Sequence, residues 1–271
     1  MNRTLLLRTW RAQRSKLLVV AVALAAWGFC MPVIYAAYGA QFQHVVDSGL
    51  IPKQMTDLLS DIGGGNIFSL GGAISLGFIH PIAVALICVF AVGFAANAVA
   101  GERQRGTLEV LLARPISRRS LILTLYVATV AFIAISLAAF IVGTAVAATL
   151  WGVAREVDPV ALVALWLSGV LLFAAFGAVC LAASASFDRL TPPLGIGLGY
   201  LLVSYFIDVL GSLWPDARGL QPLSLFHYVR APAVLAGRSD PAGLLVLVAV
   251  GAVALTFALV RFPRRDIAAP S

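Results

Sequence analysis

Apolar runs of about twenty residues recur along the chain, parted by short stretches that hold most of the charge. A helix rises about 1.5 Å per residue, so about twenty residues cross a hydrocarbon core of about 30 Å. Six runs qualify: about Leu17 to Tyr38, Ala73 to Ala100, Leu121 to Leu150, Val160 to Ala185, Leu194 to Trp214, and Ala242 to Val260. The third is longer than a crossing needs, so it must tilt or protrude, which places Trp151 at headgroup level. Pro192 and Pro193 open the fifth, where a missing amide hydrogen costs nothing. Pro81 lies near the outer end of the second. A more polar stretch, residues 39–72, separates the first two runs, carries Gly63, Gly64 and Gly65, and reads as an extracytoplasmic loop. The pattern predicts an all-α integral membrane protein, a six-helix transmembrane bundle forming one domain over residues 1–271.

Composition excludes the main alternative. Hydrophobic residues make up 61% of the chain and charged ones 11%, with a mean hydropathy of +0.97. A soluble domain carries roughly 25% charged residues, and this excess of apolar side chains has no single water-facing core to occupy. The net charge of +7 does not point to nucleic acid, because the cations punctuate apolar runs instead of forming one basic face. The basic leader followed by an apolar run resembles a signal peptide, but the run exceeds a typical signal core and reads as an uncleaved span. Cys30, Cys88 and Cys180 fall in different runs without Cys-x-x-Cys spacing, so they read as small packing side chains.

Charge also sets orientation. With both termini and the second-to-third and fourth-to-fifth connections on one side, fourteen of the nineteen Lys and Arg residues lie on that side. The positive-inside rule then predicts an N-in, C-in topology.

The most informative polar segment is residues 101–119. Gly106 ends the preceding helix and Thr107 caps a new one by accepting from exposed amides. Leu108, Leu111 and Leu112 fall at i, i+3 and i+4, one face of a short helix, while Glu109 and Arg114 point elsewhere. Pro115 stops it, and Ser117-Arg118-Arg119 anchors the return to the membrane. From the residues alone, this is an amphipathic helix that either lies on anionic lipid or offers its leucine ridge to another protein.

This segment resembles a signature of the membrane subunits of ABC type-2 exporters, roughly Glu-x-x-x-Gly-Thr-Leu-x-x-Leu-Leu-x-x-Pro-x-Ser-Arg. Glu102, Gly106, Thr107, Leu108, Leu111, Leu112, Pro115, Ser117 and Arg118 match it. The endings Arg261 to Ile267 and Leu225 to Tyr228 are similar to that family as well. One departure is Leu125, where a lysine is common. The resemblance implies that the segment is a coupling helix docking on a separate ATPase subunit. It also implies that residues 1–16 form an interfacial elbow helix, and that two permeases, identical or related, assemble with two ATPases. Direction would be outward, across the plasma or inner membrane.

No chemistry in the chain competes with this reading. ATP binding needs a phosphate loop ending in Gly-Lys-Ser or Gly-Lys-Thr, but the only lysines, Lys16 and Lys53, follow Ser15 and Pro52. No cofactor is therefore expected in this chain, with ATP and Mg bound by the partner. An intramembrane hydrolase would need a nucleophile–base pair or metal ligands, yet His44, His80 and His227 form no such pattern. An ion-coupled carrier would carry an acid deep in a span, and the best candidate, Asp208, falls in the outer third of the fifth. Asn97 reads as a helix-to-helix hydrogen bonder or cap, Asp208 as an interfacial or pathway-mouth carboxylate, and Gly195 and Gly199 as a small-residue surface; all four are candidates for the substrate path or dimer packing. The substrate itself is not legible.

Overall fold

The computed structural model describes residues 2–48, 69–113 and 116–265, giving only the backbone course at positions 40, 42, 43, 46, 47, 111 and 112. The described residues form helices and no strand. Helix α1 (Arg3–Asp47) is followed by α2 (Leu70–Ile79) and α3 (Pro81–Cys88). α3 runs on through two π-helical segments, Val89–Phe94 and Asn97–Gly101, to a last turn at Glu102–Gln104. Next come the short α4 (Leu108–Leu112), α5 (Arg118–Leu150), α6 (Pro159–Ser184) and α7 (Thr191–Leu213). After 3₁₀ turns and the short α8 (Ala231–Leu235) comes α9 (Pro241–Arg261), followed by a 3₁₀ turn at Phe262–Arg264. Five helices are long and apolar enough to cross a membrane, and the pair α2 and α3, bent by 45°, supplies up to one more. The protein is thus a multi-pass membrane protein.

Two boundaries differ from expectation. Residues 3–16 do not form a separate interfacial helix: α1 passes through Lys16 and Leu17 without a break. No glycine or proline interrupts residues 3–27, so nothing ends the first helical run. The helix also occupies residues 39–47, and α2 begins at Leu70, so both ends of the expected 39–72 loop are helical. Its centre, residues 49–68 with the three glycines, lies outside the described residues.

Two prolines inside spans shape the bundle, and each has an answering side chain. Proline lacks the amide that would bond the carbonyl four residues earlier. Pro32 sits inside α1, and the carbonyl of Gly28 accepts instead from the Thr144 hydroxyl of α5 at 3.1 Å. Pro81 disfavours helical geometry at the residue before it, and His80 is extended (φ −60°, ψ 141°). The Trp27 indole of α1 donates to the carbonyl of Gly77 at 2.9 Å. His80 caps α3, its Nδ1 accepting from the Ile82 amide at 3.2 Å, and its ring lies 4.8 Å from Trp27. That is a structural histidine.

Apolar burial does not drive helices together in lipid, so close backbone approach and hydrogen bonds matter more. α1 and α5 form the most extensive helix pair. At Gly143 a Cβ would stand 2.9 Å from the Ala25 Cα, a contact no side chain could hold. Beneath this pair, Phe90, Phe132, Phe140, Phe173 and Phe176 are fully buried. α7 and α9 are the least buried spans.

The first and last described residues share one end of the bundle. The Asn2 amide donates to Thr124 Oγ1 near the start of α5, and Arg118 there donates to the carbonyls of Pro263 and Arg265. We call this the terminal end. At the far end, Trp151 caps α5 and packs edge-on against Phe29, while Trp214 ends α7.

Candidate coupling site

The stretch of α3 nearer the terminal end is wound as two π-helical segments, and such turns leave carbonyls and amides without regular partners. The bundle supplies them. Ser184, fully buried at the end of α6, donates to the Ala96 carbonyl at 2.7 Å. The same oxygen accepts from the amides of Val99 at 3.1 Å and Ala100 at 3.0 Å. Cys180, one turn earlier, donates weakly to the carbonyl of Val92 at 3.4 Å. Asn97 donates to the Gly93 carbonyl of its own segment at 2.9 Å, so it is a backbone patch rather than a bridge to another helix. A three-group bond set from one hydroxyl fixes α3 to α6 just where the chain leaves the span.

Gly106 then turns the chain, with φ +71°, a conformation side chains rarely adopt. Its amide donates to the Arg103 carbonyl and that of Thr107 to the Glu102 carbonyl, both at 2.9 Å, the Schellman closure of a helix C-terminus. Thr107 does not cap α4 with its side chain. Its hydroxyl points back and donates to the Glu102 carboxylate at 2.6 Å, a charge-assisted hydrogen bond. Arg105 donates to the same carboxylate at 2.7 Å and to Asn97 Oδ1 at 3.3 Å. Burial raises the Glu102 pKa, but these two hydrogen bonds and the charges of Arg105 and Arg8 outweigh it and hold the carboxyl below 4.5.

α4 itself departs from the expected ridge. Leu108 is buried within the chain's own core, so it anchors the helix and is not open to a second protein. Glu109 and Val110 are exposed, Val110 at 68%. Val110 was not singled out by the amphipathic pattern because it lies off the leucine face. The side chains of Leu111 and Leu112, and the whole of Arg114 and Pro115, lie outside the described residues.

The segment before α4 is fastened to two other parts of the terminal end. Arg103 pairs with Asp188, in the α6–α7 connection, at 2.8 Å, and Arg265 from beyond α9 contacts the same carboxylate. Arg265 also donates to the Ala185 carbonyl at 3.0 Å, placing a cation at the C-terminus of α6. Gln104 Oε1 accepts from the Leu190 amide at 2.8 Å, satisfying the start of α7. Arg118 donates to the Arg265 carbonyl at 2.7 Å. So Arg118 ties α5 to the chain's last described turn. Ser184 and Asp188 escaped the sequence reading, since their partners lie some eighty-five residues away.

A cleft of about 410 Å³ opens beside this site, between the first turns of α1 and the π-helical stretch of α3, with Leu125 on its wall. Arg8, Gln13 and Lys16 reach it from α1, and Asn97, Glu102 and Arg105 from α3 and its last turns. A second cavity of about 340 Å³, at the far end, is lined by His227, Arg230, Arg238 and Asp240. Burial and the charge of Arg230 hold His227 below its usual 6.5, against the opposing charge of Asp240.

The other residues marked in the sequence lie away from the coupling segment. Nothing within 4 Å meets a Cβ at Gly195 or Gly199, whereas at Gly197 it would meet Cys180 and Val92 at 2.8 Å. So Gly197 faces the bundle and the other two face out of it. Asp208 is half-buried toward the far end of α7, and its backbone carbonyl accepts from Ser212 at 3.0 Å.

The sequence model of a family described as ABC-2 family transporter protein matches residues 10–267. No curated protein matches the chain.

Proposed function

The chain belongs to the ABC-2 transporter family, and on that premise we propose that it is the permease subunit of an ATP-driven exporter whose ATPase is a separate polypeptide. The observation that carries this reading is the fastening of residues 102–108. Helix α3 ends at a glycine turn, a short helix leans on the core through Leu108 and exposes Val110, and the preceding turn is clamped to Asp188. A push on α4 would reach α3, α6 and α7 together, because Ser184, Asp188 and Gln104 link them. That is what a coupling helix must do: convert closure of an ATPase pair into a change of bundle geometry.

In this reading the terminal end is cytoplasmic, the chain spans six times with α2 and α3 as one broken span, and two permeases flank the substrate path in the plasma or inner membrane. The positive-inside bias supports the sidedness. Outward-facing Gly195 and Gly199 on α7 support a second permease as the neighbour. ATP and Mg belong to the partner.

The test is capture of the ATPase subunit by the tagged permease from membranes. Val110→Asp, or aspartate at both Leu111 and Leu112, abolishes capture while the protein still inserts. Undiminished capture with continued ATP-dependent transport overturns the assignment of α4. Transport that survives ATP depletion but collapses with the proton gradient would place the chain among ion-coupled carriers.

A further inference from the structure

From the cleft between α1 and α3 we infer that the protein carries a binding site for an anionic, phosphate-bearing headgroup at the terminal end. Residues Leu5, Arg8, Thr9, Ala12, Gln13 and Lys16 line it at helical spacing, so a whole face of α1 is presented to it. Three cations (Arg8, Lys16 and Arg105) and one carboxylate, Glu102, stand on its walls. Glu102 is already engaged by Arg105 and Thr107. Arg8 and Lys16 are exposed and make no ion pair with another described residue. The cleft therefore holds uncompensated positive charge.

Lys16 stands eight residues beyond Arg8, about 12 Å further along the helix. That is the threshold of the apolar run that begins at about Leu17, where an unpaired ammonium is costly unless it reaches a polar partner. Gln13 lies between the two cations and Asn97 faces them from α3, both able to donate to phosphate oxygens. Val89 and Phe94 line the same cleft, and Val89 is partly open to the outside of the bundle. Charge and amides on both walls with an apolar exit past Val89 fit a headgroup whose chains continue into lipid. The volume lies within the range of small-ligand sites. A soluble phosphate ester shares the headgroup's chemistry and would meet the same donors. The site stands on the cleft alone; only its place in the cytoplasmic leaflet rests on the proposed orientation.

The test is titration of the full chain in neutral detergent, read by thermophoresis. Three probes are used: dihexanoyl-phosphatidylglycerol, dihexanoyl-phosphatidylcholine and glycerol 3-phosphate. Phosphatidylglycerol is expected to bind about tenfold more tightly than phosphatidylcholine. Arg8→Gln with Lys16→Gln removes that preference, Lys16→Arg keeps it, and Arg155→Gln with Arg238→Gln, an equal charge loss at the far end, leaves it unchanged. Should the double variant not stay monodisperse, Lys16→Gln alone carries the comparison. Binding of glycerol 3-phosphate as tight as the lipid, and lost in the same variant, assigns the site to a soluble phosphate. Equal binding of the two lipids, or a preference that survives the double variant, overturns the site. Because no ATPase is present in the titration, absence of this preference in the natural chain with ATPase capture intact removes the cleft and not the pump, and the reverse holds.

Discussion

Trp27 donates its indole N–H to the carbonyl of Gly77 at 2.9 Å, four residues before Pro81, and so supplies the hydrogen bond that the proline cannot. The contact holds the 45° bend between α2 and α3 against α1. Trp27→Phe keeps most of the ring but removes the donor. We expect a loss of about 1 kcal/mol, since hydrogen bonds between membrane helices contribute about 0.6 and at most about 1.7 kcal/mol. Thr144→Val, which strands the Gly28 carbonyl behind Pro32, should cost a similar amount. Denaturant unfolding in one fixed micelle measures both, and unchanged midpoints would refute the pairing of proline and donor.

Ser184 is the more severe case, because one hydroxyl serves the Ala96 carbonyl and the Val99 and Ala100 amides. Ser184→Ala leaves these buried groups dependent on one another, and an unsatisfied buried group costs about 1–3 kcal/mol. We expect the variant to lose more stability than Trp27→Phe and to speed amide exchange in residues 96–101. Exchange unchanged there would mean that the π-helical stretch holds itself.

What the sequence made legible follows from the range of the interaction involved. Spans are a local property of apolar runs, and α5, α6, α7 and α9 fall within a few residues of their expected ends. Gly106 was legible as a helix stop because its backbone freedom is local too. The elbow at residues 1–16 was not: a change from polar to apolar residues moves a helix between solvents without breaking its hydrogen bonds. Nor was the fate of Leu108, since amphipathic spacing identifies an apolar face but not whether core or partner covers it. Ser184 and Asp188 act on groups distant in sequence, and no local pattern announces them.

Asp188 holds Arg103 at 2.8 Å and also contacts Arg265, yet its side chain is 58% exposed. An exposed ion pair contributes only about 0–1 kcal/mol, so Asp188→Asn should leave thermal stability nearly unchanged. Its effect should appear in coupling, with the ATPase still captured but ATP turnover less dependent on substrate and transport reduced severalfold. Arg103→Asp combined with Asp188→Arg should recover part of the transport. A stability loss as large as that of Ser184→Ala would show the pair to be a structural brace instead of a link.

Glu102 predicts a pH response. Its folded pKa lies below 4.5, with burial opposed by the bonds from Thr107 and Arg105 and by the charges of Arg105 and Arg8. A depressed carboxylate stabilises the fold above its unfolded pKa, and that contribution disappears as pH falls through the folded value. Glu102→Gln should therefore loosen the Gly106 turn at neutral pH, seen as faster proteolysis between residues 105 and 113. The difference from the natural chain should persist down to 4.5 and close only below it. Thr107→Val should reproduce part of the effect. A gap that closed near neutrality would assign the response to another group.

On α7, Gly195 and Gly199 stand one turn apart, and, neighbours and the helix's own backbone aside, no atom of a described residue lies within 4 Å of a would-be Cβ, while Ile196, Leu198 and Leu202 are exposed beside them. In lipid, larger side chains at such positions meet only acyl chains unless a second helix lies against them. Alanine or leucine at both sites should therefore change the stability of the isolated chain by no more than about 0.5 kcal/mol. A second permease packed on this face requires the opposite in the assembly, because the bulk of leucine would separate the two backbones. Leucine at both positions should cut disulfide trapping between Leu198→Cys reporters on the two permeases by about tenfold, while alanine should cut it little. Trapping equal in all three chains would remove α7 from the contact between permeases. The glycines would then have to be read through the substrate path, where the same leucines slow transport without altering assembly.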